Sequence, residues 1–285
     1  MPAVGMRKLV PPIMGRPNDY GLLGGCTEII TVSDPHELNG TDQLAVSCGT
    51  VGQWQDCIDP SSTFVNPTAK TFDRPETCSF NPITLYAGVT CSTFGLSFEE
   101  GQQRALDQLS LGEQRALEDF FMRHWLARVA VDLTPAAGAV HITSGIGALE
   151  GWLATNYGGE GVLHVPAGAA ALLSSATIVD FARGAESPQT LYGNCIVLGA
   201  GYQANLGPTT PPGGEPTVAP AGEAWIYVTP PVRVRRDQPH LVTTTEQQQV
   251  RSTTNDRFAL AETTMVPEVA CCIAAAIRVN ISVCC

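Results

Sequence analysis

The stretch SFEEGQQRALDQLSLGEQRALEDFFMRHWLAR, from Ser97 to Arg128, decides how the rest of the chain is read. Ser97 and Glu100 stand at capping-box spacing, in which each side chain satisfies a free backbone amide at a helix start. Ala105, Leu106, Leu109, Ala116, Leu117, Phe120, Phe121 and Trp125 then recur at three- and four-residue intervals and make one apolar face. Roughly 30 residues at about 1.5 Å each predict a rod of about 45 Å. Gly112 marks a place for a bend, because Ser110 and Glu113 repeat the capping-box spacing. So long a rod needs apolar surfaces to cover it. The hundred or so residues before it are too broken to fold alone, so the reading draws those surfaces from other copies of the same chain.

Working outward, residues 1–96 hold nine prolines and ten glycines between short β-like pieces. Glu28 to Val32, Gln43 to Cys48 and Ile83 to Cys91 are the strand candidates. Proline removes a ladder donor, so such strands suit edges, arms and hairpins. The prediction is an extended N-terminal arm followed by a long two-stranded excursion. Isolated hairpins are marginal in water, so neighbouring copies are expected to hold this one.

After the rod the pattern turns to compact α/β. Val129 to Leu133 and Val140 to Ile142 read as short strands. Ser144 is placed to cap a helix carrying Ile146, Leu149, Trp152 and Leu153, ended by Gly158-Gly159. Val162 to Val165 reads as a buried strand, and Pro166 as the start of a helix over Ala167 to Ser174. Cys195 to Leu198 is another apolar strand, closed by Gly199-Ala200-Gly201. Gly207 to Gly222, with five prolines, reads as an exposed loop. Strands resume at Ala224 to Thr229 and Val232 to Arg235. Asp237 to Ser252 is polar. Phe258 to Glu262 and Ala270 to Ile281 close the chain as strands.

Composition bounds the function. The chain has 285 residues, 44% hydrophobic and only 15% charged, with a net charge of -11. Phosphate contacts need Lys or Arg, so this balance argues against a tight nucleic-acid binder. Met1 to Gly15 carries Pro11 and Pro12 where a secretion signal needs an apolar core. Val269 to Ile277, the longest strongly apolar run, is too short to span a bilayer. The ten cysteines include no C-x-x-C pair and have no nearby histidine, which argues against a metal site. Cys271-Cys272 and Cys284-Cys285 are adjacent pairs whose members point to opposite faces in a strand. The expectation is free thiols in a reducing cytoplasm.

Catalytic patterns fail. Gly145-Ile-Gly147-Ala-Leu-Glu-Gly151 misses both the dinucleotide and the Walker spacing, and reads as a closely packed helix start. No G-x-S-x-G or H-E-x-x-H occurs. His36, His124, His141, His164 and His240 are isolated in sequence. His124 on the rod and His164 in a buried strand read as structural. The acid pairs Glu99-Glu100 and Glu118-Asp119 read as solvated helix faces. No catalytic, cofactor-binding or metal residue is assigned.

From Gly161 onward the order of segments resembles the major capsid proteins of tailed bacteriophages, the Hong Kong 97 type. A strand ending in proline leads into a short helix, as in Gly161-Val-Leu-His-Val-Pro166-Ala-Gly-Ala-Ala-Ala-Leu-Leu173. Leu191-Tyr-Gly-Asn-Cys-Ile-Val-Leu198 and Ala224-Trp-Ile-Tyr-Val-Thr229 match the following strands. Asn255-Asp-Arg-Phe-Ala-Leu-Ala-Glu262 and Ala270 to Val279 match the close. Phe80-Asn-Pro-Ile-Thr-Leu-Tyr-Ala-Gly and Gly112-Glu-Gln-Arg-Ala-Leu-Glu resemble capsid sequences of phages infecting actinobacteria.

The resemblance implies an α+β, Hong Kong 97-type capsid fold. It places an N-terminal arm at 1–50 and an E-loop hairpin region at 51–96. A P-domain follows at 97–139 and 230–285, with spine helix 97–128, and an A-domain at 140–229. It also implies a shell subunit forming hexamers and pentamers around double-stranded DNA, located in the virion capsid and assembled in the host cytoplasm. Partners would be a separate scaffolding protein, a portal and a decoration protein; no cofactor and no membrane are implied. Some relatives join subunits through a hairpin lysine and an asparagine. Lys8 and Lys70 are the only lysines here, and Lys70 falls in the predicted hairpin. No matching asparagine or glutamate motif is found, so non-covalent locking is expected at Lys70. Deleting residues 1–60 should then abolish closed particles and leave 140–229 folded. The alternatives weighed are an encapsulin-like compartment, a soluble α/β enzyme and a minor head or tail component. An encapsulin usually starts with an amphipathic helix, which Pro2, Pro11, Pro12 and Pro17 disallow here.

Overall fold

The computed structural model describes residues 13–48, 51–54, 63, 65–66, 69–72, 74–92, 97–175, 187–203, 206–209, 214–242, 245, 250–251, 253–254 and 256–282. Its elements run β1 Thr27–Thr31, β2 Thr41–Leu44, β3 Thr77–Phe80, β4 Ile83–Ser92, α1 Phe98–Phe121, α2 Ala127–Val129, β5 Val131–Asp132, α3 Ile142–Asn156, β6 Val162–Pro166 and α4 Ala170–Ser175. They continue with β7 Cys195–Gly199, β8 Leu206–Thr209, β9 Pro216–Val218, β10 Glu223–Thr229, β11 Val232–Arg236, β12 His240–Leu241, β13 Val250–Arg251, β14 Asp256–Val269 and β15 Ala275–Asn280.

The capping box at Ser97 and Glu100 forms as expected: Glu100 N–H donates to Ser97 Oγ at 3.1 Å and Ser97 N–H to Glu100 Oε2 at 3.0 Å. Helix α1 then runs 24 residues, about 36 Å, without a break at Gly112. The second cap at Ser110 does not form, because Gly112 sits in open space and nothing displaces the helical hydrogen bonds there. The irregularity lies further on, where Met122–Leu126 make one π-helical turn before α2. That turn lets Trp125 stack on Phe121, centroids 5.4 Å apart, while Leu126 stays buried.

Two sheets flank the helices. One has six strands in the order β1-β11-β14-β12, with β4 and β13 also on β14. Strand β14 is its beam: Asp256 to Met265 pair with Ser92 to Ile83, and Met265 to Val269 pair with Arg236 to Val232. The apolar stripe of α1 packs on this sheet, burying Leu109, Leu117 and Phe121 with Leu85, Ala261, Met265 and Val234. The other sheet has five strands in the order β5-β15-β10-β6-β7. Helix α3 covers it through Ile142, Ile146, Leu149 and Leu153. A Cβ on Gly145 would lie 2.6 Å from Val279 Cγ1, so the glycine is there for close packing, as expected.

Several boundaries move. Helix α3 starts at Ile142 with His141 as its cap, not Ser144, and Val140 makes only a single bridge to Val279. Gly158 at φ +78 ends the helix in the left-handed conformation. Gly207 to Gly222 is not wholly an exposed loop. Strands β8 and β9 form a small antiparallel sheet within it, and Gly207 lies against the Trp225 indole so closely that a Cβ would meet it at 2.1 Å. The closing strand is interrupted: residues 270–274 turn the chain out of the six-stranded sheet, and β15 enters the five-stranded one between β5 and β10. Strand β4, expected in the hairpin region, belongs to the six-stranded sheet. The excursion's two-stranded base is β2 with β3, registered Thr41 to Leu44 against Phe80 to Thr77.

Two expectations are overturned. The leading third is not without partners in its own chain: β1 pairs in parallel with β11 from Thr27–Val232 to Thr31–Arg236. Nor are the cysteines all free. Cys26–Cys195, Cys48–Cys271 and Cys78–Cys272 are disulfide-bonded, with Cα separations of 5.7, 6.0 and 5.5 Å. The adjacency of Cys271 and Cys272 argued for divergence in one strand, but they lie in the turn after β14, where both reach the same hairpin base. Cys57, Cys284, Cys285, Lys8 and the side chain of Cys91 lie outside what the structure describes.

Candidate functional site

Residues 18–26 form a strap that joins α1 to the free edge of the five-stranded sheet. Gln114 and Glu118, one turn apart on α1, hold it. Gln114 Nε2 donates to Asn18 O at 2.8 Å, and Gln114 Oε1 accepts from Leu23 N–H at 3.2 Å. Glu118 Oε1 accepts from Leu22 N–H at 3.0 Å, and Oε2 from Gly201 N–H at 2.7 Å. A Cβ on Gly21 would lie 2.0 Å from Gln114 Nε2, so only glycine lets the strap come this close. At the other end, Leu198 N–H donates to Tyr20 O at 2.7 Å and Cys26 is bonded to Cys195.

Glu118 is fully buried, which corrects its reading as a solvated face. Burial pushes its carboxyl above the usual range, and backbone bonds from Gly201, Leu22 and Ala200 pull it partly back. Sequence spacing could not separate Glu118 from the half-exposed Asp119 beside it, which pairs with Arg123 at 2.9 Å. The one available signal was the phase of the apolar stripe, since Glu118 follows Leu117 and sits three residues before Phe121.

A second buried acid ties the excursion base to the six-stranded sheet. Glu268 accepts from Thr41 Oγ1 at 2.6 Å, Arg233 Nε at 2.7 Å and Arg235 Nε at 2.9 Å. Arg235 reaches on to Glu37 and Arg236 to Glu113. Val232 and Val234 point into the core while Arg233 and Arg235 alternate outward, so one strand supplies both packing and this charged row.

His164 sits in β6, wholly buried as expected. Its Nδ1 is 2.8 Å from Tyr202 Oη and its Nε2 2.9 Å from Thr229 Oγ1. Burial lowers its pKa to about 3, so the ring is a neutral hydrogen-bonding node. Burial also raises the Tyr202 phenol, with the Glu118 charge adding to it. The other histidines are scattered: His141 caps α3, His240 faces Asp237, and His124 packs tilted against Phe120. Among the described residues no group of His, Cys, Asp or Glu is arranged to hold a metal ion.

Exposed apolar side chains concentrate on the excursion: Leu44, Val46, Val51, Trp54, Val65 and Phe72, with Val51 at 93% and Phe72 at 89% exposure. An open cleft of about 1070 Å³ runs along its base, lined in part by Val46, Trp54, Phe72, Lys70 and Asn156. Lys70 is solvent-exposed and lies over the Trp54 ring, Nζ 5.2 Å from the centroid. The geometry thus brings Lys70 to a surface with exposed apolar groups.

No family model and no curated protein matches the chain. Solved structures do. The capsid of a native GTA particle matches at TM-score 0.57 and 10% identity, over 98% of this chain and 96% of that one. Mycobacterium phage Che8 matches at TM-score 0.53 and 10% identity, over 97% and 96%. Microbacterium phage Oxtober96 matches at TM-score 0.52 and 10% identity, over 97% and 95%. The fold is that of a phage capsid chain. It spans these proteins from end to end, in agreement with the Hong Kong 97-type architecture expected from the order of segments. Within that fold, the strap, the Glu268 ion-pair cluster and the apolar excursion are the features described above.

Proposed function

We propose that this chain is a major capsid subunit that self-assembles, as hexamers and pentamers, into an icosahedral shell enclosing double-stranded DNA. The observation that carries the reading is the end-to-end likeness to capsid chains. It is supported by an excursion whose apolar side chains are largely exposed to solvent. Burying a Phe or Val side chain contributes about 1.5–3 kcal/mol, so six such groups make a strong inter-subunit surface even after ordering costs. The acidic balance fits a wall that contains DNA without gripping it. A scaffolding protein, a portal and a decoration protein are the partners this role calls for, with assembly in the host cytoplasm and residence in the virion.

We assign residues 1–50 to the arm, 51–82 to the E-loop region, most of 97–139 and of 230–285 to the P-domain, and 140–229 to the A-domain. Strand pairing suggests three changes from the sequence boundaries: β4 joins the P-domain, and β5 and β15 join the A-domain. Lys70 is proposed as a non-covalent contact to a neighbouring subunit. Expression together with the neighbouring genes, followed by negative-stain microscopy, should yield hollow or filled icosahedra. Reducing denaturing gels of those particles should show a monomer band. Soluble monomers alone would refute the shell role, and a reduction-resistant ladder would refute non-covalent locking at Lys70.

A further inference from the structure

All three disulfides run in one direction through the chain. Each joins a cysteine of the leading third (Cys26, Cys48 or Cys78) to one of the remainder (Cys195, Cys271 or Cys272), across sequence separations of 169, 223 and 194 residues. Cys48 and Cys78 bracket the excursion. Their partners are adjacent residues in the turn that carries the chain from β14, in the six-stranded sheet, to β15, in the five-stranded sheet. Two bonds therefore pin both ends of the excursion to the junction between the sheets. The third pins the strap to the sheet edge.

We propose that these pairs form an oxidation-driven lock. As thiols, they leave the excursion and strap held by hydrogen bonds and packing alone. As disulfides, they fix the leading third covalently onto its own chain. The lock is a property of the single chain and stands whatever the chain assembles into. Each pair contains a cysteine that is not fully buried. Cys48 and Cys272 are half-buried and line the open cleft, whereas their partners Cys271 and Cys78 are buried. Cys26 and Cys195 are both half-buried. The oxidant is a low-molecular-weight disulfide of the glutathione class. A cleft-side thiolate attacks it, forms a mixed disulfide and releases one small thiol. The buried partner thiolate then attacks the protein sulfur of that mixed disulfide, closing the bridge and releasing the second small thiol. Per bridge, two protein thiols and one small disulfide become one protein disulfide and two small thiols. Reducing cytoplasm keeps the lock open, and oxidising surroundings close it.

The test uses the full-length chain, purified under reduction and then equilibrated in buffers of graded glutathione to glutathione-disulfide ratio. Alkylation and peptide mapping identify the bonds, and hydrogen exchange reports on residues 41–44 and 74–80. The expected result is three intrachain bonds at the named pairs, with exchange over those segments slowed about tenfold or more on oxidation. The paired substitutions C48S/C271S and C78S/C272S should each remove part of that slowing. Scrambled or interchain bonds would overturn the lock. So would equal exchange in the oxidised and reduced parent, a comparison that needs no variant to fold.

Discussion

Replacing Glu118 with alanine tests whether the strap and the loop after β7 depend on one buried carboxylate. The substitution leaves the N–H groups of Leu22 and Gly201 without their acceptor, at sites closed to water: Leu22 and Glu118 have no exposed surface. Each buried amide left unpaired costs about 1–3 kcal/mol, so the pair costs about 2–6 kcal/mol. Removing a buried carboxylate returns part of this, because burial disfavours the charged form. The net expectation is a loss of about 3 kcal/mol at neutral pH. E118Q keeps one acceptor oxygen and should lose about 1–2 kcal/mol, since its amide meets a second donor. Urea unfolding of the unassembled chain, with hydrogen exchange at Leu22 and Leu23, measures both. The sign of the pH dependence is fixed by the direction of the shift. The folded state holds the Glu118 proton more tightly than the unfolded chain does. Its stabilising contribution is therefore present below pH 4.5 and lost as pH rises through the raised folded value. The parent should lose stability relative to E118Q across that window. An E118A midpoint within about 0.5 kcal/mol of the parent would refute the clamp.

E268A should cost about 3 kcal/mol, the low end for a broken buried pair, because Arg233 and Arg235 keep some access to water. The loss should appear as faster exchange in Thr41 to Leu44, read by mass spectrometry. His164 carries the opposite pH sign to Glu118. Its folded pKa of about 3 lies below the ordinary histidine value of 6.5, so its contribution is present above pH 6.5 and lost as pH falls towards 3. By pH 4 the parent should have lost about 3 kcal/mol more than H164Q, measured by urea unfolding at several pH values. A flat His164 ring-proton NMR signal from pH 8 to 4 is the matching spectroscopic result.

The amino-acid pattern by itself determined the elements whose signals are local. Ser97 and Glu100 start a helix because a capping box needs only four consecutive residues, and Leu109, Leu117 and Phe121 face a core because helical phase is a property of one segment. Val162 to Val165 and Ala224 to Thr229 were legible as buried strands for the same reason. The order of such elements was enough to point to the capsid fold. What only the tertiary structure decided are the long-range pairings. Whether Glu118 meets water or the amides of Leu22 and Gly201 depends on a strap 96 residues away. Cys271 and Cys272 read as divergent neighbours until the turn after β14 brought Cys48 and Cys78 to them. The strap's attachment to its own chain was likewise invisible, because a short glycine-rich segment carries no periodicity of its own. Its place is set by partners that exist only once α1 and the sheets have packed.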